Sequence, residues 1–135
     1  MDASKGYIDS ELVCPADYPQ DYMGNADQAP TPISRKNRRQ IDLFLQTCQQ
    51  HGLPVLLVEL PSPHSWDYSR HNAVQALADE YGLPFLDLNA QGDYPLDLAT
   101  DFRDNGNHLN RIGASKATAY IGGYISRNYA DRFTD

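Results

Sequence analysis

The ten residues HGLPVLLVEL, His51 to Leu60, hold the end of one element and the start of another. Gly52 suits the left-handed position just past a helix end, Leu53 can fold back on the last turn, and Pro54 cannot continue a helix. The apolar run Val55 to Leu60 then reads as a buried strand. The same grammar returns in YGLPFLDL, Tyr81 to Leu88, with Gly82 as the stop and Phe85 to Leu88 as a second, shorter strand.

Working outward, apolar positions mark the helices. Ile41, Phe44, Leu45 and Cys48 fall at i, i+3, i+4 and i+7, one face of a helix for which Ser34 is the N-cap. Val74, Leu77, Ala78 and Tyr81 make a second face between the two strands. A third helix runs from Arg111 to about Asn128, with Asn110 as N-cap and Ala114, Ala117, Ile121, Tyr124 and Ile125 inward. Within it Gly113, Gly122 and Gly123 each cost about 1 kcal/mol relative to Ala, and a close approach to a neighbouring surface is what they offer in return.

A helix joining two buried strands implies a parallel pair with a crossover, so the fold class is α/β. Two strands make an incomplete parallel sheet with both edges open. Residues 1–33 carry Pro15, Pro19, Pro30 and Pro32 and show no sustained period, which reads as a loop-rich, extended N-terminal arm. The expected organisation is therefore that arm followed by an α/β domain over residues 34–135. Strands from the arm, a second chain or a missing N-terminal segment would have to complete the sheet.

Charge narrows the partners. With a net charge of -7 the chain is a poor match for nucleic acid or an anionic membrane surface, both of which are held by clustered Lys and Arg. The run RKNRR, Arg35 to Arg39, reads as a solvated helix face. No apolar stretch reaches the length of a membrane span, and the start MDASKGYIDSELVC lacks the basic and apolar regions of a signal peptide, so the expectation is cytoplasmic placement by default. Cys14 and Cys48 are too few for a disulfide framework or zinc site, and Cys48 sits on the core face of the first helix.

In parallel sheets the ligand crevice lies beyond the carboxyl ends of the strands. That rule selects PSPHSWDYSRHN after the first strand, NAQGDY after the second, and the loop before the third helix. Ser62 and Asn89 follow the two strands and are the candidate substrate-binding residues. Ser65, His64, Trp66, His71, Asp93, Asp101, Asp104, Asn107 and His108 share the same edge. His108, before a helix and near two carboxylates, is the candidate general base, with Asp104 as the residue that orients it. His64, His71 and His108 lack tight ligand spacing, so no metal site is expected. PSPHSW is not a strained nucleophile elbow, and Ser62 and Ser65 read as turn residues between Pro61 and Pro63 and beyond. Ser10 reaches the crevice only if the arm does.

The segment from Asp104 through His108 and LNRIGASKATAYIGGYI resembles the closing block of the SGNH hydrolases, the GDSL-type esterases and lipases, in which an Asp-x-x-His pair ends the catalytic triad. LPVLLVELPSPHSWDYSRHNAVQALADEYGLPFLDLN is similar to the stretch before that block in bacterial members of the superfamily, so the resemblance covers Gly52 to Ile125. It implies a flavodoxin-like three-layer α/β/α fold and the hydrolysis or transfer of an ester-linked acyl group, with a small-molecule or carbohydrate ester as substrate and no cofactor. His108 would be the base and Asp104 its orienter. Asp104 lies four residues before His108 where the family pattern has three, with Asn105 in between, and neither a Gly-Asp-Ser nor a Gly-x-Asn-Asp block is present. The expectation is thus the C-terminal portion of such a hydrolase, its serine on a missing N-terminal half or another subunit. The alternative expectation is a non-catalytic α/β interaction domain that pairs its open edges as a homodimer.

Overall fold

The computed structural model describes residues 8–132. Three helices and two strands follow the arm in the order α1 (Arg35–Gln50), β1 (Leu57–Glu59), α2 (Tyr68–Tyr81), β2 (Phe85–Asp87) and α3 (Arg111–Tyr129), and a short 3-10 turn closes the described chain at Ala130–Arg132. The fold is mixed α/β. Its strands pair in parallel with Leu57 opposite Phe85, Val58 opposite Leu86 and Glu59 opposite Asp87.

The helix boundaries follow from local chemistry. Ser34 accepts a hydrogen bond from Asn37 N–H at the head of α1, Asp67 does the same for Arg70 N–H at α2, and Asn110 for Gly113 N–H at α3. Gly52 and Gly82 adopt φ of 65° and 64°. Leu53 N–H returns to Cys48 C=O and Leu83 N–H to Ala78 C=O, which satisfies carbonyls left open where each helix stops. Arg38, within the basic run of α1, pairs with Asp42 at 2.7 Å and with Glu80 of α2.

Both strands are shorter than the apolar runs that contain them. Leu57 N–H donates to Pro84 C=O and Leu88 N–H to Glu59 C=O, so the ladder closes only where the two segments lie side by side. In a parallel ladder this alternation turns the N–H and C=O of Val58 to the outer edge. Among the described residues no strand occupies that edge, and the described part of the arm contributes none. A cavity of about 420 Å³ lies beside it, between Ile41, Phe44 and Leu45 of α1, Val74 and Leu77 of α2, and the sheet. Leu45 and Cys48 are buried as the helical period requires, whereas Phe44, from the same predicted face, is 61% exposed because nothing in the described chain reaches that part of α1.

The other side of the sheet is better filled. Leu86 and Leu88 pack with Tyr94 and Ala117, and Leu56, Leu109, Tyr120, Ile121 and Tyr124 surround them. A second cluster joins Ala16 of the arm to Leu98 and Phe102, with Tyr18, Tyr22, Leu96 and Leu109 around it. The arm is therefore docked. Cys14 N–H donates to Phe102 C=O, Ala16 N–H to Leu98 C=O, Tyr68 N–H to Met23 C=O and Thr31 N–H to Ser69 C=O.

Close packing explains one of the three glycines of α3. A Cβ on Gly113 would meet the Asp101 carbonyl oxygen at 2.4 Å, so only glycine lets the helix start lie against the preceding loop. A Cβ on Gly122 would meet nothing within 4 Å, and nothing in the structure requires glycine there. No helix among the described residues is long and apolar enough to cross a membrane.

Candidate active site

The carboxyl ends of β1 and β2 open into a polar network. Asp87, at the end of β2, is buried, and its carboxylate accepts four hydrogen bonds. Trp66 Nε1 and His71 Nδ1 approach Oδ2 at 2.8 and 2.7 Å, while Asn89 N–H and Asn89 Nδ2 approach Oδ1 at 2.8 and 2.7 Å. Such saturation is what allows a carboxylate to be buried. The Asn89 amide continues the network. Its Oδ1 accepts from Ser62 N–H at 2.9 Å and from the Tyr22 hydroxyl at 2.7 Å, and its Nδ2 also donates to Leu60 C=O. Burial, with the Asp87 charge second, pushes the Tyr22 phenol above its ordinary value and keeps it a donor.

All four hydrogen-bonding positions of Asn89 are thus engaged by the protein. Asn89 ties the end of β2 to the loop after β1 and to the arm, while Ser62 Oγ donates to Leu60 C=O at 3.2 Å. Glu59, in register with Asp87, is half-buried near that hydroxyl. Burial first, then the Asp87 charge, raises its carboxyl above 4.5, and the Ser62 hydrogen bond offsets part of this.

The loop before α3 is held separately. Asp101 is fully buried and pairs with Lys116 Nζ at 2.8 Å, while Asp97 N–H donates to its second oxygen. Asn110 donates from Nδ2 to Thr100 C=O at 2.7 Å and accepts from Gly113 N–H. A bridge between Phe102 and Leu109, with Arg103 N–H on His108 C=O, closes a turn over the intervening residues. Two of them take left-handed backbone, Asn105 at φ 53° and Gly106 at φ 82°.

This turn brings Asp104 back onto His108. Asp104 Oδ1 accepts from His108 N–H at 2.6 Å, and Oδ2 lies 2.5 Å from His108 Nδ1. The two left-handed residues let the chain fold back within four positions, from Asp104 to His108. Slight burial pushes the Asp104 carboxyl up. The side-chain and backbone hydrogen bonds from His108, with the His108 and Arg103 charges, outweigh that and hold it below 3.8. An ionised Asp104 requires the proton on Nδ1, which leaves Nε2 as the basic nitrogen; the His108 side chain is 55% exposed, and among the described residues nothing bonds to Nε2.

The two carboxylates flagged before α3 therefore differ: Asp104 faces the imidazole and Asp101 anchors the loop. The three crevice histidines do not converge, since His64 Nδ1 meets the Tyr18 hydroxyl at 2.8 Å, His71 meets Asp87 and His108 meets Asp104. Among the described residues no three His, Cys, Asp or Glu side chains gather as a metal site. Nor does any described serine hydrogen-bond His108. Asp93 accepts from the Tyr120 hydroxyl. Sequence reasoning placed Trp66 at this edge but missed Asp87, Tyr18 and Tyr22; an aspartate inside the apolar run FLDL was the one available signal.

An apolar groove of about 360 Å³ lies at the opposite end of the strands, among Leu53, Val55, Leu83, Pro84, Ile125 and Tyr129. No carboxylate or histidine lines it, whereas both gather at the polar end. Comparison of the chain with protein-family models, with curated proteins and with solved structures returned no match.

A raised folded-state pKa means that protonated Glu59 favours the fold below about 4.5, and that this contribution is lost as pH rises through the folded value. Glu59→Gln is therefore expected to raise the denaturation midpoint at pH 7 and to give no gain at pH 4, as read by chemical denaturation at the two pH values.

Proposed function

We propose that this chain supplies the base and its orienter to an SGNH-type esterase site, and that the α/β core is the C-terminal part of a flavodoxin-like three-layer fold. The Asp104–His108 contact carries the reading: a carboxylate held on Nδ1, with Nε2 left open beside the carboxyl ends of the strands. His108 Nε2 takes the proton of a serine hydroxyl as its oxygen attacks the ester carbonyl carbon. Asp104 stabilises the resulting imidazolium, which returns the proton to the leaving alcohol. Water or another alcohol then takes the acyl group by the same proton transfers, so that hydrolysis and acyl transfer differ only in the acceptor. Small-molecule or carbohydrate esters are the substrate class, and no cofactor takes part.

The serine comes from polypeptide other than these 135 residues, because the sequence has no Gly-Asp-Ser block and no described serine bonds the base. Asn89 and Ser62 belong to the floor of the crevice, and Asn89 acts there as a strut beneath the substrate.

A second reading, a non-catalytic module that homodimerises, is supported by the outer edge of β1, where Val58 is 36% exposed and its backbone groups face outward. Light scattering separates the readings: a dimer broken by Val58→Lys supports the module, and a folded monomer opposes it.

For the hydrolase reading, a fluorophosphonate probe is expected to leave no adduct on the isolated chain and to label the serine of a co-expressed Gly-Asp-Ser-bearing partner. His108→Ala should reduce ester turnover in that complex by about 10²–10⁴-fold, the range a positioned base contributes. Ester hydrolysis by the isolated chain that survives His108→Ala would contradict the proposal.

A further inference from the structure

The turn between Asp104 and His108 is gripped from two sides. Asn105 Oδ1 accepts the Asp17 N–H at 2.7 Å, a bond from the arm across 88 positions of chain. Gly106 C=O accepts the His64 N–H from the loop after β1 at 3.1 Å. A Cβ on Gly106 would meet Pro63 Cγ at 2.8 Å, Ala16 Cβ at 3.1 Å and Tyr18 Cε2 at 3.2 Å, so both segments press on the backbone of the turn. The Tyr18 hydroxyl and His64 Nδ1, 2.8 Å apart, join the two segments to each other.

Neither Asn105 nor Asp17 touches the imidazole through any hydrogen bond in the described chain, yet both bear on where it sits. A left-handed non-glycine residue is disfavoured for an L-amino acid, and asparagine is among those that tolerate it best. At position 105 the amide also captures the arm. The residue that lengthens the turn is therefore the one that fastens it.

We propose that Asn105 is a positioning residue for His108, and that the docked arm segment Ala16–Tyr18, through the Asp17 N–H to Asn105 bond, holds the turn in the form that sets Asp104 against Nδ1. This rests on the hydrolase reading of the dyad. It assigns to the arm a function in the site: chain that contributes no group to the chemistry fixes the tautomer of the base.

Asn105→Gly keeps the left-handed backbone and removes the amide, and Asn105→Asp restores an acceptor for the Asp17 N–H. The imidazole ¹⁵N resonances of His108 at neutral pH report the tautomer directly. Wild type is expected to hold the Nδ1–H form, Asn105→Gly to raise the population of the Nε2–H form by about tenfold, the scale of one lost hydrogen bond, and Asn105→Asp to reverse the change. Amide spectra of α3 and the two strands should remain those of the wild type. Retention of the wild-type tautomer in Asn105→Gly, with the Asp17 amide now exchanging freely, would overturn the inference. If Asp104→Asn also left the tautomer unchanged, the hydrolase reading would fall with it; if Asp104→Asn alone shifted it, only the arm's part would fall.

Discussion

Asn110 is where three parts of the chain meet. Its amide nitrogen reaches Leu12 C=O of the arm and Thr100 and Phe102 C=O of the loop, and its amide oxygen caps α3 through Gly113 N–H. Its own N–H donates to Asp101 C=O. The Thr100 and Asp101 carbonyls and the Gly113 N–H among them are buried or half-buried groups of the kind that cost about 1–3 kcal/mol when left unpaired. Two residues upstream stands His108, so the cap that begins α3 also sets where the imidazole leaves the backbone. Gly113 is part of the same constraint, since any side chain there would displace Asp101 and with it the loop.

The sheet cannot impose this order, because two three-residue strands offer few hydrogen bonds and little buried area. At its carboxyl end, polar saturation replaces sheet as the organising force. Asp87 and Asn89 gather the loop after β1, the start of α2 and the arm, much as Asp101 and Asn110 gather the loop before α3. In a dry interior such networks are costly when broken and specific when complete. The apolar faces next to α1 lack that completeness, as the exposed Phe44 and the cavity beside β1 show.

What could be read in the sequence was local. Ser34, Gly52, Gly82 and Asn110 announce helix ends because capping needs particular residues within a few positions, and all four stand where their chemistry placed them. The two strands were legible as apolar runs, but their paired length was not, since it depends on how far the neighbour extends. The arm was legible only as prolines without a period; its bonds to Leu98, Phe102 and Asn105 span more than 80 positions and leave no local trace. At the site, His108 and Asp104 were visible as residue types before a helix. Their contact was not, because it depends on Asn105 and Gly106 both turning left-handed, a backbone choice that Asn-Gly permits without dictating.

Asp104 and His108 are held as one unit, and the ¹³C titration of the Asp104 carboxyl reports whether they titrate as one. A group with a lowered folded-state value stabilises the fold above its ordinary 3.8 and loses that contribution as pH falls through the lowered value. The expected midpoint lies below 3.8 in the wild type and moves back up toward 3.8 in His108→Ala. A midpoint unchanged by removal of the imidazole would contradict it, because the carboxylate would then owe nothing to the residue it is held to orient.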